Sequence, residues 1–135
     1  MALRCLLVDD SLPFQQAATS LLEREGVAVV GVASSVTEAL RRVEELRPNL
    51  VLVDVMLGVE SGLYLAQLLA ELELDGFQVI LISTYAEEDL ADLIEQAPVT
   101  GFLPKSELSA NAIQRLLRNG KRRPPGSTAL PPGTG

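Results

Sequence analysis

Five short apolar runs recur along the chain, and each gives way to a segment whose apolar residues return every three or four positions. The runs are Leu6-Leu7-Val8, Val27 to Ala33, Leu50 to Val53, Val79 to Ile82 and Val99 to Leu103. Runs that are apolar at consecutive rather than alternate positions read as strands buried on both faces. The segments between them read as helices. After Ser11-Leu12-Pro13, a cap and a proline suited to a first turn, Phe14, Ala17, Ala18, Leu21 and Leu22 fall on one stripe that Gly26 ends. Ser35-Val36-Thr37-Glu38 is a capping box for a second helix on Val36, Ala39, Leu40, Val43 and Leu46, with Pro48 as terminator. Leu65, Leu68, Leu69 and Leu72 mark a third helix ending near Gly76. Leu90, Leu93 and Ile94 carry a fourth, and Ala112, Ile113, Leu116 and Leu117 a fifth, closed by Asn119-Gly120.

A strand followed by a helix, five times over, predicts a parallel sheet, because neighbouring parallel strands need crossover connections and those crossovers are right-handed. The expected fold is α/β: a doubly wound five-stranded parallel sheet of order 2-1-3-4-5 with helices on both faces. A chain of 135 residues has room for one such domain, expected over residues 1 to 119. Residues 120 to 135 hold four of the eight prolines and four of the ten glycines behind Lys121-Arg122-Arg123. That composition predicts a disordered tail or the start of a linker.

Composition excludes whole classes of chemistry. One cysteine, Cys5, permits neither an intrachain disulfide nor a multi-cysteine zinc site, and its apolar neighbours predict a buried thiol. With no histidine there is no catalytic triad, no imidazole metal ligand and no phosphohistidine on this chain. Residues 1 to 119 carry eight basic and eighteen acidic side chains, a net charge of −10, which argues against direct nucleic acid binding. No apolar run is long enough to cross a membrane, and Met1-Ala2-Leu3-Arg4 leads into a strand rather than a signal-peptide core. A cytoplasmic protein is expected.

Ligands of doubly wound sheets bind beyond the carboxyl ends of the strands, where the strand order reverses. The polar residues at those ends are Asp9 and Asp10 after the first strand, Asp54 ending the third, Ser83 and Thr84 ending the fourth, and Lys105 after the fifth. Taken singly they have plain explanations. Asp10 reads equally as the cap of the next helix, Ser83 or Thr84 as another cap opening the box Thr84-Tyr85-Ala86-Glu87, and Lys105 as a solvated loop lysine. Glu60 and Glu87 read as early-helix charges favoured by the helix dipole. What sets the group apart is that its members share one end of four different strands. Three carboxylates in one pocket repel one another unless a cation sits among them, and an all-oxygen set selects a hard ion such as Mg²⁺. With an ammonium and a hydroxyl nearby, that arrangement suits holding a phosphoryl group while a carboxylate oxygen attacks phosphorus, and Asp54 is the natural nucleophile.

These residues and their spacing resemble the response-regulator receiver domain of two-component signalling over residues 3 to about 119. The acidic pair is Asp9-Asp10, the phosphoacceptor Asp54, the hydroxyl residue Ser83, the switch aromatic Phe102 and the lysine Lys105. Gly62 stands eight residues after Asp54, and Lys105 twenty-two after Ser83. The resemblance implies phosphoryl transfer to Asp54 from a histidine kinase or a small phosphodonor, with Mg²⁺ held by Asp9, Asp10, Asp54 and the backbone carbonyl of Met56. It further implies that Ser83 moves toward the phosphoryl group and Phe102 turns inward, biasing a surface of helix four, strand five and helix five. A second copy of the chain or a separate output protein would read that surface.

Two positions depart from the family pattern. Gly58 stands where a proline is frequent, which predicts a more mobile loop from Met56 to Ser61. Ser106 follows Lys105 where a cis proline is usual, and since a cis bond to a non-proline residue costs roughly 2.5 to 4 kcal/mol, the trans form is expected. Rival readings are the regulatory half of a truncated helix-turn-helix transcription factor and a phosphorylation-independent interaction module. A small nucleotide-binding protein would need a Gly-rich phosphate loop after strand one, and none is found there.

Overall fold

The computed structural model describes residues 3–85 and 90–119. Its elements follow the alternation in the sequence: β1 (Arg4–Val8), α1 (Leu12–Arg24), β2 (Ala28–Ala33), α2 (Val36–Leu46), β3 (Leu50–Asp54), then β4 (Met56–Leu57) and β5 (Glu60–Ser61). After these come α3 (Gly62–Glu71), β6 (Gln78–Ser83), α4 (Ala91–Gln96), β7 (Gly101–Pro104), a 3₁₀ turn over Lys105–Glu107 and α5 (Ala110–Asn119). Five strands form one sheet in the order β2-β1-β3-β6-β7, all parallel. Counted over that sheet alone, this is the expected 2-1-3-4-5.

The consecutive apolar runs are explained by the two faces of the sheet. Leu6, Val8, Val51, Val53, Val79 and Leu81 point to one side, where they pack with Ala39 and Val43 of α2, Leu65 and Leu69 of α3, and Ile94 of α4. Leu7, Leu50, Leu52, Ile80 and Ile82 point to the other, against Ala18 and Leu22 of α1 and Ile113 of α5. Cys5 belongs to this second face; it is buried, and desolvation pushes its thiol up to about 12.

Local signals act largely as written. The Ser11 hydroxyl accepts from Phe14 N at 3.3 Å at the start of α1, and Gly26 follows the helix with φ of +93°. Ser35 caps α2 by accepting from Glu38 N at 3.1 Å, but the Glu38 carboxylate reaches back to Ser34 N, one residue earlier than a standard capping box. Ala86 and Glu87 of the second capping box lie outside the described residues, as does the tail from residue 120. Among the described residues no helix is long and apolar enough to cross a membrane.

Two expectations need correction. The stretch Met56 to Ser61 is an antiparallel two-stranded hairpin, with Met56 opposite Ser61 and Leu57 opposite Glu60. Gly58 takes a φ of +63° at the first position of its two-residue turn, a conformation that favours glycine and is closed to proline. The buried stripe of α1 is Gln15, Ala18 and Leu22; Phe14 and Leu21 lie at its margin and Ala17 is exposed. The stripe is turned by about one residue because a glutamine occupies an inward position.

Close packing of α3 onto the end of β3 holds Asp54 in place. A Cβ on Gly62 would lie 1.9 Å from the Asp54 carbonyl oxygen, and the Gly62 N–H donates to Val55 O at 2.8 Å. The nearest atoms to a Cβ on Gly101 would be those of the half-buried Leu116 side chain, from 2.9 Å, a flexible group rather than backbone. Gly62→Ala is therefore expected to destabilise the protein by about 2 to 3 kcal/mol, and Gly101→Ala by about 1 kcal/mol or less. Urea denaturation of the two variants measures the difference.

Candidate functional site

Strand register assembles the site. Val8 is paired with Val53, so Asp9 follows at the end of β1 beside Asp54 at the end of β3. Asp54 is paired with Ile82, and Ser83 with Pro104, so Ser83 and Lys105 arrive at the same edge from β6 and from the residue after β7. Oxygens of Asp9, Asp10 and Asp54 lie within 4.8 Å of one another; Asp9 and Asp54 are buried and Asp10 is exposed.

Lys105 bridges two of these carboxylates. Its Nζ is 2.7 Å from Asp9 Oδ2 and 3.0 Å from Asp54 Oδ2. The other oxygens are also engaged: Asp9 Oδ1 accepts from Ser11 N at 2.8 Å, and Asp54 Oδ1 from Met56 N at 3.1 Å. Burial raises the Asp54 carboxyl above its ordinary value of 3.8, and the charge of Asp9 adds to the rise. Hydrogen bonds from Lys105 and the Met56 N–H oppose it without cancelling it. Burial by itself would lower the Lys105 ammonium, yet its hydrogen bonds to Asp9 and Asp54 prevail and raise it. One positive charge thus faces three carboxylates. The surplus of negative charge and the all-oxygen donor set fit a hard divalent cation at Asp9, Asp10 and Asp54.

Ser83 is buried at the end of β6, where its hydroxyl accepts from Tyr85 N at 2.9 Å. Phe102, on β7 opposite Leu81, is 6% exposed and belongs to the cluster containing Ile94, Ala97 and Val99. The ring is therefore already inward, rather than waiting outside to turn in. The Lys105–Ser106 bond is trans, like every peptide bond among the described residues.

Three supporting residues escaped the sequence reading. Phe14 places its ring centroid 4.3 Å from Lys105 Nζ. Gln15 is buried, with Nε2 donating to Asp9 O at 2.5 Å and to Ser34 Oγ at 3.1 Å, so it fixes the main chain behind Asp9. Its signal in the sequence was an amide three residues before Ala18 and seven before Leu22, on the core stripe. Glu60 is not an early-helix charge of α3: it stands in β5 and its Oε1 accepts from Val36 N at 2.9 Å, at the start of α2. The hairpin is thereby latched to α2, and its turn lies against the site, since a Cβ on Gly58 would come within 3.4 Å of Asp10 Oδ2.

Comparison with known proteins agrees with this arrangement. The family model of the response regulator receiver domain matches residues 5–117. The chain is 31% identical over 123 residues to the response regulator GacA of Pseudomonas viridiflava, covering 89% of this chain and 57% of that protein. It is 34% identical over 128 residues to the DNA-binding response regulator MtrA of Mycobacterium tuberculosis, covering 88% and 53%. The chain spans about half the length of these curated relatives. A two-component response regulator of the LuxR family from Aurantimonas superposes with a TM-score of 0.77 at 25% identity, over 90% of this chain and 89% of that one. A CheY-like receiver domain protein from Methanospirillum hungatei gives 0.72 at 24% identity, over 88% and 94%, a likeness of fold alone.

Because folding raises the Asp54 carboxyl, the folded protein holds that proton more tightly than the unfolded chain, and stability falls as pH rises through the raised value. In metal-free buffer Asp54→Asn should be the more stable protein at neutral pH, by about 1 kcal/mol. The advantage should shrink to nothing as the pH falls and wild-type Asp54 becomes protonated; thermal melts of both proteins across pH would show it. Glu60→Ala removes an acceptor from the start of α2 and should cost about 1 kcal/mol, whereas Glu60→Gln keeps an oxygen there and should cost less than half of that. Chemical denaturation distinguishes the two.

Proposed function

Because the chain belongs to the response-regulator receiver family, we propose that it accepts a phosphoryl group on Asp54 from the phosphohistidine of a sensor histidine kinase, or from a small phosphodonor, and signals by a change of surface. The observation that carries this reading is the Lys105 ammonium shared between Asp9 and Asp54 at the ends of adjacent strands. A buried carboxylate with its cation in place is a nucleophile held ready, and the same cation can stabilise the oxygens of the group it receives.

In the transfer a carboxylate oxygen of Asp54 forms a bond to phosphorus while the bond from phosphorus to the donor nitrogen breaks, and the imidazole leaves with the electron pair. Asp9, Asp10, Asp54 and the Met56 carbonyl would hold Mg²⁺, which supplies charge neutralisation for the phosphoryl oxygens. Lys105 moves its hydrogen bonds from carboxylate to phosphoryl oxygen. Ser83, buried one strand away from Asp54, donates to the same group. Lys105 and Ser83 also serve the return reaction, in which water removes the phosphoryl group, so the only catalysis is the protein's own phosphorylation and dephosphorylation. Leu12, Met56 and Val59 are exposed at the start of α1 and on the hairpin, and give a kinase apolar ground beside the acceptor.

Output passes through Ser83 and Phe102 to the face of α4, β7 and α5, which a second copy or a separate protein reads. Since Phe102 starts inward, the signal is a change in the packing around its ring. On this reading residues 1 to 119 are the receiver, residues 120 to 135 are a Pro/Gly-rich tail or the start of a linker, and the protein is cytoplasmic. A second reading has its own support. The chain spans about half of relatives that include a DNA-binding regulator, and on that basis it is the regulatory half of a longer transcription factor. Its acidic surface then leaves DNA contact to another part.

Intact mass spectrometry after incubation with Mg²⁺ and acetyl phosphate should show a gain of one phosphoryl group on wild type, lost in Asp54→Asn and on chelation of the metal. The same gain in the variant would remove Asp54 from its role.

A further inference from the structure

Lys105 has neighbours of two kinds. Asp9 Oδ2 and Asp54 Oδ2 attract it as charges, at 2.7 and 3.0 Å, while the ring of Phe14 attracts it as a quadrupole, with the centroid 4.3 Å from Nζ. We propose that Phe14 is a positioning residue for Lys105, whose ring face keeps the ammonium in the pocket when a divalent cation draws the carboxylates to itself. The inference rests on the proposed acceptor role of Asp54 and goes beyond it by assigning a residue to the lysine.

The need for such a residue follows from the charges. A cation among Asp9, Asp10 and Asp54 would compete with Lys105 for the negative charge of Asp9 and Asp54 and would repel the ammonium as well. A lysine on a flexible four-carbon stem then gains by swinging into water, where it is useless to an incoming phosphoryl group. The pull of an aromatic face does not depend on the carboxylates and persists after they are occupied. Phe14 is well fixed for this task. It lies in the first turn of α1, its N–H donates to Ser11 Oγ, and the next residue, Gln15, ties the helix to the main chain of Asp9. The ring therefore belongs to the same rigid corner as the carboxylate that Lys105 must release.

Holding two cations close together has opposite effects on two measurable quantities. The ring should make metal binding slightly weaker and phosphoryl capture faster. Phe14→Leu, which keeps apolar packing but has no quadrupole, is expected to bind Mg²⁺ about two- to fivefold more tightly, as read by calorimetric titration with MgCl₂. It should at the same time be phosphorylated by acetyl phosphate about two- to fivefold more slowly, at a Mg²⁺ concentration that saturates both proteins. Phe14→Tyr, with its ring intact, should match wild type in both. Loss of packing alone would lower affinity and rate together. Metal affinity that is unchanged or reduced in Phe14→Leu, or a change that Phe14→Tyr shares, overturns the inference. If wild type takes up no phosphoryl group, it is the proposed function that falls, and the metal titration still decides the role of Phe14.

Discussion

Two carboxylates nearly removed from solvent share one ammonium, and everything at the carboxyl edge of the sheet is arranged around that imbalance. Asp9 and Asp54 sit side by side because their strands are neighbours in register, and Lys105 reaches both from beyond β7. Removing carboxylates from water is costly, and a single lysine does not offset the whole penalty, which is why Asp54 holds its proton more tightly than a free carboxyl does. The fold tolerates this strain because its core is large and continuous on both faces of the sheet. Stability made there is spent at one edge, where a site poised to take up cationic and phosphoryl charge is the return.

The supporting contacts show how little of that edge is left free. The Ser11 N–H fixes one oxygen of Asp9 and the Met56 N–H one oxygen of Asp54, so each carboxylate has one oxygen committed to its own loop and one given to Lys105. Gln15 holds the main chain behind Asp9, and Gly62 allows α3 to press on the carbonyl of Asp54. The hairpin β4–β5 is anchored through Glu60 to α2, a helix on the sheet face opposite to α1 and α5. Both faces of the sheet thus bear on the same few atoms.

The sheet, its order and the place of Asp9, Asp10, Asp54, Ser83 and Lys105 were legible in the sequence, because they rest on regular features. Apolar runs buried on two sides announce strands, and polar residues at the ends of such runs gather at one edge whatever the details of packing. The residues that were not legible act through contacts between segments distant in the chain. Glu60 looked like a charge at the start of α3 because nothing local reveals that α2 begins within its reach. Phe14 looked like core because an aromatic on a helical stripe normally is core, and only the third dimension puts Lys105 over its ring. Gly58 looked like a source of looseness, yet its left-handed conformation closes the turn of a hairpin. The inward position of Phe102 depends on how β7 packs with the cluster around Ile94, which no periodicity encodes.

Cys5 lies at the other end of this logic. It is the single sulfhydryl of the chain, buried in β1 among Leu7, Leu50, Leu52 and Ile80, with a pKa near 12. Oxidants and electrophiles attack the thiolate, and at cellular pH this group has almost none to offer. The Cys5 thiol is therefore shielded from the redox condition of its surroundings: peroxide or glutathione disulfide has little handle on it in the folded protein. A cysteine introduced on the surface for a fluorophore or a spin label would react alone, with the native one left in place, so the receiver comes ready for spectroscopic labelling without any change to its interior.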